Sequence, residues 1–87
     1  MKKTIQLDNE GLEKLLGEHV LVFCMNYIYT GKLSGVNDDN IALASPYIVY
    51  ETGPFDSKSF QDAQKLHDEH FIMLSSIESI GKTDKRA

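Results

Sequence analysis

Tyr29-Thr30-Gly31-Lys32-Leu33-Ser34-Gly35-Val36, then Asn37-Asp38-Asp39-Asn40, then Ile41-Ala42-Leu43, is the stretch whose reading decides the fold. Residues 28–36 alternate, with Tyr29 and Leu33 on one face and Thr30, Lys32 and Ser34 on the other, the period of a strand. The four Asn/Asp residues form a sharp polar turn, and the apolar run after it starts a second strand. Gly31 and Gly35 inside the first strand mark a bulge or a close backbone approach, which lets a short strand bend.

Upstream, His19–Met25 is apolar on both faces and predicts a strand covered on both sides. Asn26-Tyr27 turns it into the next strand. Further upstream, Asp8 or Asn9 can cap a helix over about 9–16, with Leu12, Leu15 and Leu16 as its apolar stripe and Gly17 as its stop. Downstream, Ile41–Glu51 predicts a long strand interrupted at Pro46, where a proline demands an edge or a bulge. Thr52-Gly53-Pro54 ends it. Asp56–Asp68 is polar, and Phe60, Ala63 and Leu66 suggest a short helix inside an excursion over about 53–69. Strands at His70–Leu74 and Ile77–Ile80 follow, and 82–87 read as a flexible basic tail.

The expected architecture is therefore mainly β. It has an N-terminal α-helix and a strongly bent, five-stranded antiparallel SH3-like small barrel, in one domain spanning 1–81.

Composition narrows the function. The chain has 87 residues, 41% hydrophobic and 25% charged, which suits one small globular domain. Such a domain is marginal without staples or partners. Cys24 is the single cysteine, so no intrachain disulfide helps, and association of copies is the remaining route. Residues 4–81 carry four Lys against twelve acids, with the remaining cations near the ends. That is not the footprint of a general nucleic-acid binder. The N-terminus lacks an apolar signal core and no run reaches membrane-span length, so the expected compartment is the cytoplasm.

His67 and His70 stand at H-x-x-H spacing without an evident third ligand, so no metal is expected. A His70 near an interface between copies would make assembly pH-sensitive. No catalytic or phosphate-binding fingerprint occurs, and nothing near Cys24 in sequence would lower its pKa. Neither an enzyme nor a cofactor is expected.

The pattern Tyr29-x-Gly31-x-Leu33, a short polar turn, then Asn40-x-x-Leu43 resembles the first motif of Sm-like proteins, the LSm and Hfq type. The final Ile77-x-x-Ile80 resembles the end of their second motif. The similarity covers about Leu12 to Gly81. It implies the Sm-like version of the barrel, assembled as a homo-oligomeric ring in which the last strand pairs with the next subunit. Phe71, Met73, Ile77 and Ile80 would then lie at the subunit interface. It also implies single-stranded RNA as ligand, with Asn37 and Asn40 lining the pore side and Tyr47 stacking on an outer face.

The sequence departs from the family at the ligand positions. Asn37 replaces the turn's Asp, the turn is one residue short, and Met73-Leu74 stands where the family carries Arg-Gly. A ring that docks a protein partner instead of RNA is therefore the alternative, and a monomeric SH3-like module a third.

Overall fold

In the computed structural model, which describes residues 11–87, the chain forms six β-strands and two short 3-10 turns. The strands are β1 (His19–Cys24), β2 (Ile28–Val36), β3 (Asn40–Glu51), β4 (Asp62–Lys65), β5 (Glu69–Met73) and β6 (Ile77–Lys82). All ladders between them are antiparallel. The path runs β4-β3-β2-β1-β6, with β5 also paired to β3.

The expected helix over 9–16 is corrected. Residues 9 and 10 lie outside the described part, and from Gly11 onward the chain makes only a 3-10 turn at Leu12–Leu15. Gly11 (φ 87°) and Gly17 (φ 86°) adopt left-handed conformations, and Leu16 is already extended, so no second helical turn follows. One turn fixes several dihedrals for few hydrogen bonds and does not propagate by itself. Leu12 and Leu15 still pack on the main core.

The five-stranded barrel is corrected as well. The sheet has six strands and is open: among the described residues, β6 pairs only with β1, and β4 and β5 only with β3. The added strand is β4, in the excursion read as helical. Ala63 stands opposite Val49 and packs with it, and this tertiary partner overrides the weak helical spacing.

The bend of the sheet comes from β3. Between Thr30/Tyr47 and Lys32/Ala44 the register gains one residue on β3, at Ser45-Pro46. Ser45 has φ 49°, a strained value for a residue with a side chain, and Pro46 is fully buried. Opposite this bulge sits Gly31, where a Cβ would come within 3.1 Å of both the Ala44 carbonyl oxygen and the Pro46 Cα. Before the bulge β3 pairs with β5, and after it with β4. The Ser45 amide donates to the Asp68 carbonyl and the Leu66 amide to that of Pro46, so the β4–β5 corner follows the same bend.

The core lies on both faces of β1. Val20 and Val22 join Leu33, Ile41, Leu43 and Ile72 on the inner face. Leu21 and the part-buried Phe23 join Val49 and Phe60 on the outer face. The second cover expected for this strand thus comes from Phe60 in the 52–61 segment.

Residues 82–87, read from the sequence as a flexible tail, cross back over that segment. Ser59 and Arg86 form an isolated parallel bridge, and the Phe60 amide donates to the Arg86 carbonyl. Lys85 is only 4% exposed.

Candidate functional site

The open sheet leaves two exposed features. At one end, β5 carries its outward-facing side chains beside a groove of about 240 Å³. Phe71 is 52% and Met73 48% exposed, while Ile72 between them is buried, as alternation on a half-covered strand requires. The β1–β2 turn adds Met25 and Tyr27, both exposed. The Met25 amide donates to the Ser76 carbonyl, which fixes this turn near the start of β6. Below it, the Tyr29 and His70 rings lie 5.2 Å apart at 32°. Elsewhere β6, which pairs only with β1 among the described residues, runs beside the exposed Phe55.

Cys24 and Tyr29 line this groove. Burial, with Glu78 nearby, pushes the Cys24 thiol up, so it is protonated and unreactive at neutral pH. Burial also raises Tyr29, with Cys24 adding to it. Among the described residues no three His, Cys, Asp or Glu side chains converge on a metal position.

Asn37 and Asn40 sit together in the β2–β3 turn. The Asn37 side-chain amide donates to Asn40 Oδ1 at 2.7 Å, and Asn40 Nδ2 donates to Asp39 Oδ1 at 2.9 Å. The turn closes on itself, and its amides are engaged with one another. Met73 stands opposite Asn40, and the Leu74 amide donates to the Asp39 carbonyl, so the turn and the β5–β6 corner are neighbours. Ile77 and Ile80 face inward on β6 and are partly buried against the core.

Tyr47 is elsewhere. It lies seven residues beyond Asn40, past the bulge, on the order of 20 Å along the strand at ordinary rise. Lys65 Nζ stands 6.0 Å from its ring centroid. Tyr47 also borders a groove of about 190 Å³ with His19, Thr30, Ser45 and Arg86. Burial, with Arg86 and Lys32 beside it, pulls the His19 imidazole below its ordinary value. Lys65 and Arg86 thus lie beside Tyr47 on this face.

The sequence reading missed Met25 as a surface feature; a methionine beside a tight turn, where polar residues are usual, was the available signal. Lys85 had none, because only the fold brings it to its acceptors.

No protein-family model and no curated protein matches this sequence. No helix among the described residues is long and apolar enough to cross a membrane.

Proposed function

We propose that this protein is the subunit of a homo-oligomeric ring, its copies joined head to tail through the two ends of the open sheet, and that the ring serves as a scaffold for a protein partner. Three strands have an unpartnered edge among the described residues; β4 is short and polar, and the observation that carries the reading is the other two, β5 with half-exposed Phe71 and Met73, and β6. Unpaired edges template further pairing, and neither β5 nor β6 contains the proline that blunts it. A contact between two different edges is heterologous, so it closes into a ring or runs on as a filament. The resemblance to Sm-like proteins supports the ring. The acidic body and the exposed Met25–Tyr27 turn support a protein ligand.

Single-stranded RNA is the second reading. Its support is Tyr47 beside Lys65 and Arg86, a stacking ring among cations, rather than the mutually bonded Asn37 and Asn40.

Size-exclusion chromatography with light scattering, read at 260 and 280 nm, tests both. A discrete mass of several subunits supports the ring, and a monomer at micromolar concentration refutes it. Excess 260 nm absorbance, with salt-sensitive oligo(U) or oligo(A) binding lost in Tyr47→Ala, favours RNA over the protein scaffold.

A further inference from the structure

We propose that the 52–61 segment is a lysine-reading site for an extended basic peptide of a partner protein, and that residues 83–87 occupy it as an internal competitor. The site lies within one copy and stands whether or not copies assemble.

Residues 83–87 carry no large apolar side chain, so hydrophobic burial does not hold them. They are held as a docked peptide is. The Thr83 amide donates to the His19 carbonyl, just past the Val20–Lys82 end of the β1–β6 ladder. Beyond it, the Arg86 amide donates to the Lys58 carbonyl and the Phe60 amide to the Arg86 carbonyl, on either side of the parallel Ser59–Arg86 bridge. Such main-chain bonds accept many sequences, and a pocket for a side chain then sets the choice. Here one side chain enters. Lys85 is 4% exposed, whereas Asp84, Arg86 and Ala87 are exposed.

The hole selects an ammonium that keeps its protons. Lys85 Nζ donates to the Pro54 carbonyl at 2.7 Å and the Ser57 carbonyl at 3.0 Å, and it stands 5.3 Å from the Phe60 ring centroid. Two converging acceptors demand two N–H donors from one nitrogen. Norleucine supplies none, and acetyl-lysine supplies one and brings an acetyl group to house.

The walls do not depend on the lysine. The Ser57 amide donates to the Pro54 carbonyl at 3.1 Å and the Gln61 amide to the Glu51 carbonyl at 3.0 Å, so the segment closes on itself. Phe60 packs with Leu21 and Val49. The hole therefore keeps its shape when residues 83–87 leave it. Glu51, Asp56 and Asp62 are exposed around it against Lys58, which favours a basic occupant over an acidic one.

Residues 83–87 follow β6 directly and compete at an effective concentration on the order of millimolar. A partner gains the site only by adding contacts that residues 83–87 lack, so a bare lysine does not open it.

The test uses the full chain carrying Lys85→Glu, whose carboxylate is repelled by the two carbonyls and empties the hole. The probe is a fluorescein-labelled peptide with the sequence of residues 83–87, followed by anisotropy and by hydrogen exchange at the Phe60 amide. The peptide is expected to bind and to restore protection at Phe60, and to bind wild type at least tenfold more weakly. Peptides with norleucine or acetyl-lysine in place of the lysine should bind the variant at least tenfold more weakly than the parent peptide. Should Lys85→Glu fail to fold, Lys85→Ala replaces it, and failing that wild type at millimolar peptide, with the same lysine dependence required. Absence of binding, equal binding of the norleucine peptide, or binding that leaves Phe60 unprotected overturns the proposal, the last by showing mere attraction to an acidic surface.

Discussion

Replacing Lys85 by Met isolates the bond that fastens the C-terminal segment to the 52–61 segment. The ammonium is buried, donates to two carbonyls, and stands 5.3 Å from the Phe60 ring centroid, with no carboxylate among these contacts. Each hydrogen bond from a charged donor contributes about 1.5–3 kcal/mol net, and the ring roughly 0.5–2 kcal/mol. Against this stands the dehydration of the ammonium, several kcal/mol. The two sides nearly cancel, so the effect of Lys85→Met depends on what the substitution leaves behind. Methionine keeps the volume and the apolar stem but strands two carbonyls, one on exposed Pro54 and one on half-buried Ser57. Partial rehydration of these leaves an expected loss of about 1–2 kcal/mol. At about 2.1 cal/mol/K of unfolding entropy per residue, that lowers Tm by roughly 5–10 °C. Thermal unfolding followed by circular dichroism, at a fixed protein concentration, measures it. Hydrogen exchange adds a local readout, since the Phe60 and Arg86 amides bond across this seam and should lose protection first. A variant melting at or above the wild-type temperature would refute the reasoning. The carbonyls and the ring would then merely offset dehydration, and the backbone bridge alone would hold the segment.

Further outcomes are expected elsewhere in the fold. Gly31→Ala should destabilise by about 1–3 kcal/mol in urea titration, because its Cβ meets backbone atoms of Ala44 and Pro46 that cannot rotate away. Thr30→Val should cost about 1 kcal/mol in the same assay, since the buried Thr30 hydroxyl donates to the Val20 carbonyl at 2.8 Å. Leu43→Ala removes a fully buried side chain from the inner core and should cost about 2–5 kcal/mol. His19 has its pKa lowered by burial and by Arg86 and Lys32, so the unfolded chain binds its proton more readily. Its contribution is complete above about pH 6.5 and is lost as pH falls below that value. Melting between pH 7.5 and 5 should show a slope that His19→Gln reduces.

The strands around the opening stretch were legible from local pattern alone. The alternation of Ile28–Val36, the two-sided apolar run of His19–Met25 and the Asn/Asp turn each name an element within a few neighbouring residues. Pro46 forced a bulge or an edge for a reason equally local, its missing N–H, and Gly31 announced a close approach. The short helix was misread because an i, i+3, i+4 stripe records which side chains are apolar, not whether the backbone can continue past two left-handed glycines. Asp62–Lys65 was misread for the converse reason, since its strand exists only because β3 offers an unpaired side beyond Ser45.

The same division runs through the candidate site. The sequence by itself determined that the chain is mainly β, the β1–β2 and β2–β3 hairpins, the sharp turn at Asn37–Asn40 and the lack of an intrachain disulfide, because these depend on backbone preferences and residue identity over a few positions. Only the tertiary structure decided that the sheet stays open and that Phe71 lies exposed on β5. It alone brought Lys85 to carbonyls 31 and 28 residues away. Strand partners, exposed edges and a buried ammonium are set by how distant segments share one curved sheet, and local periodicity carries no information about distance.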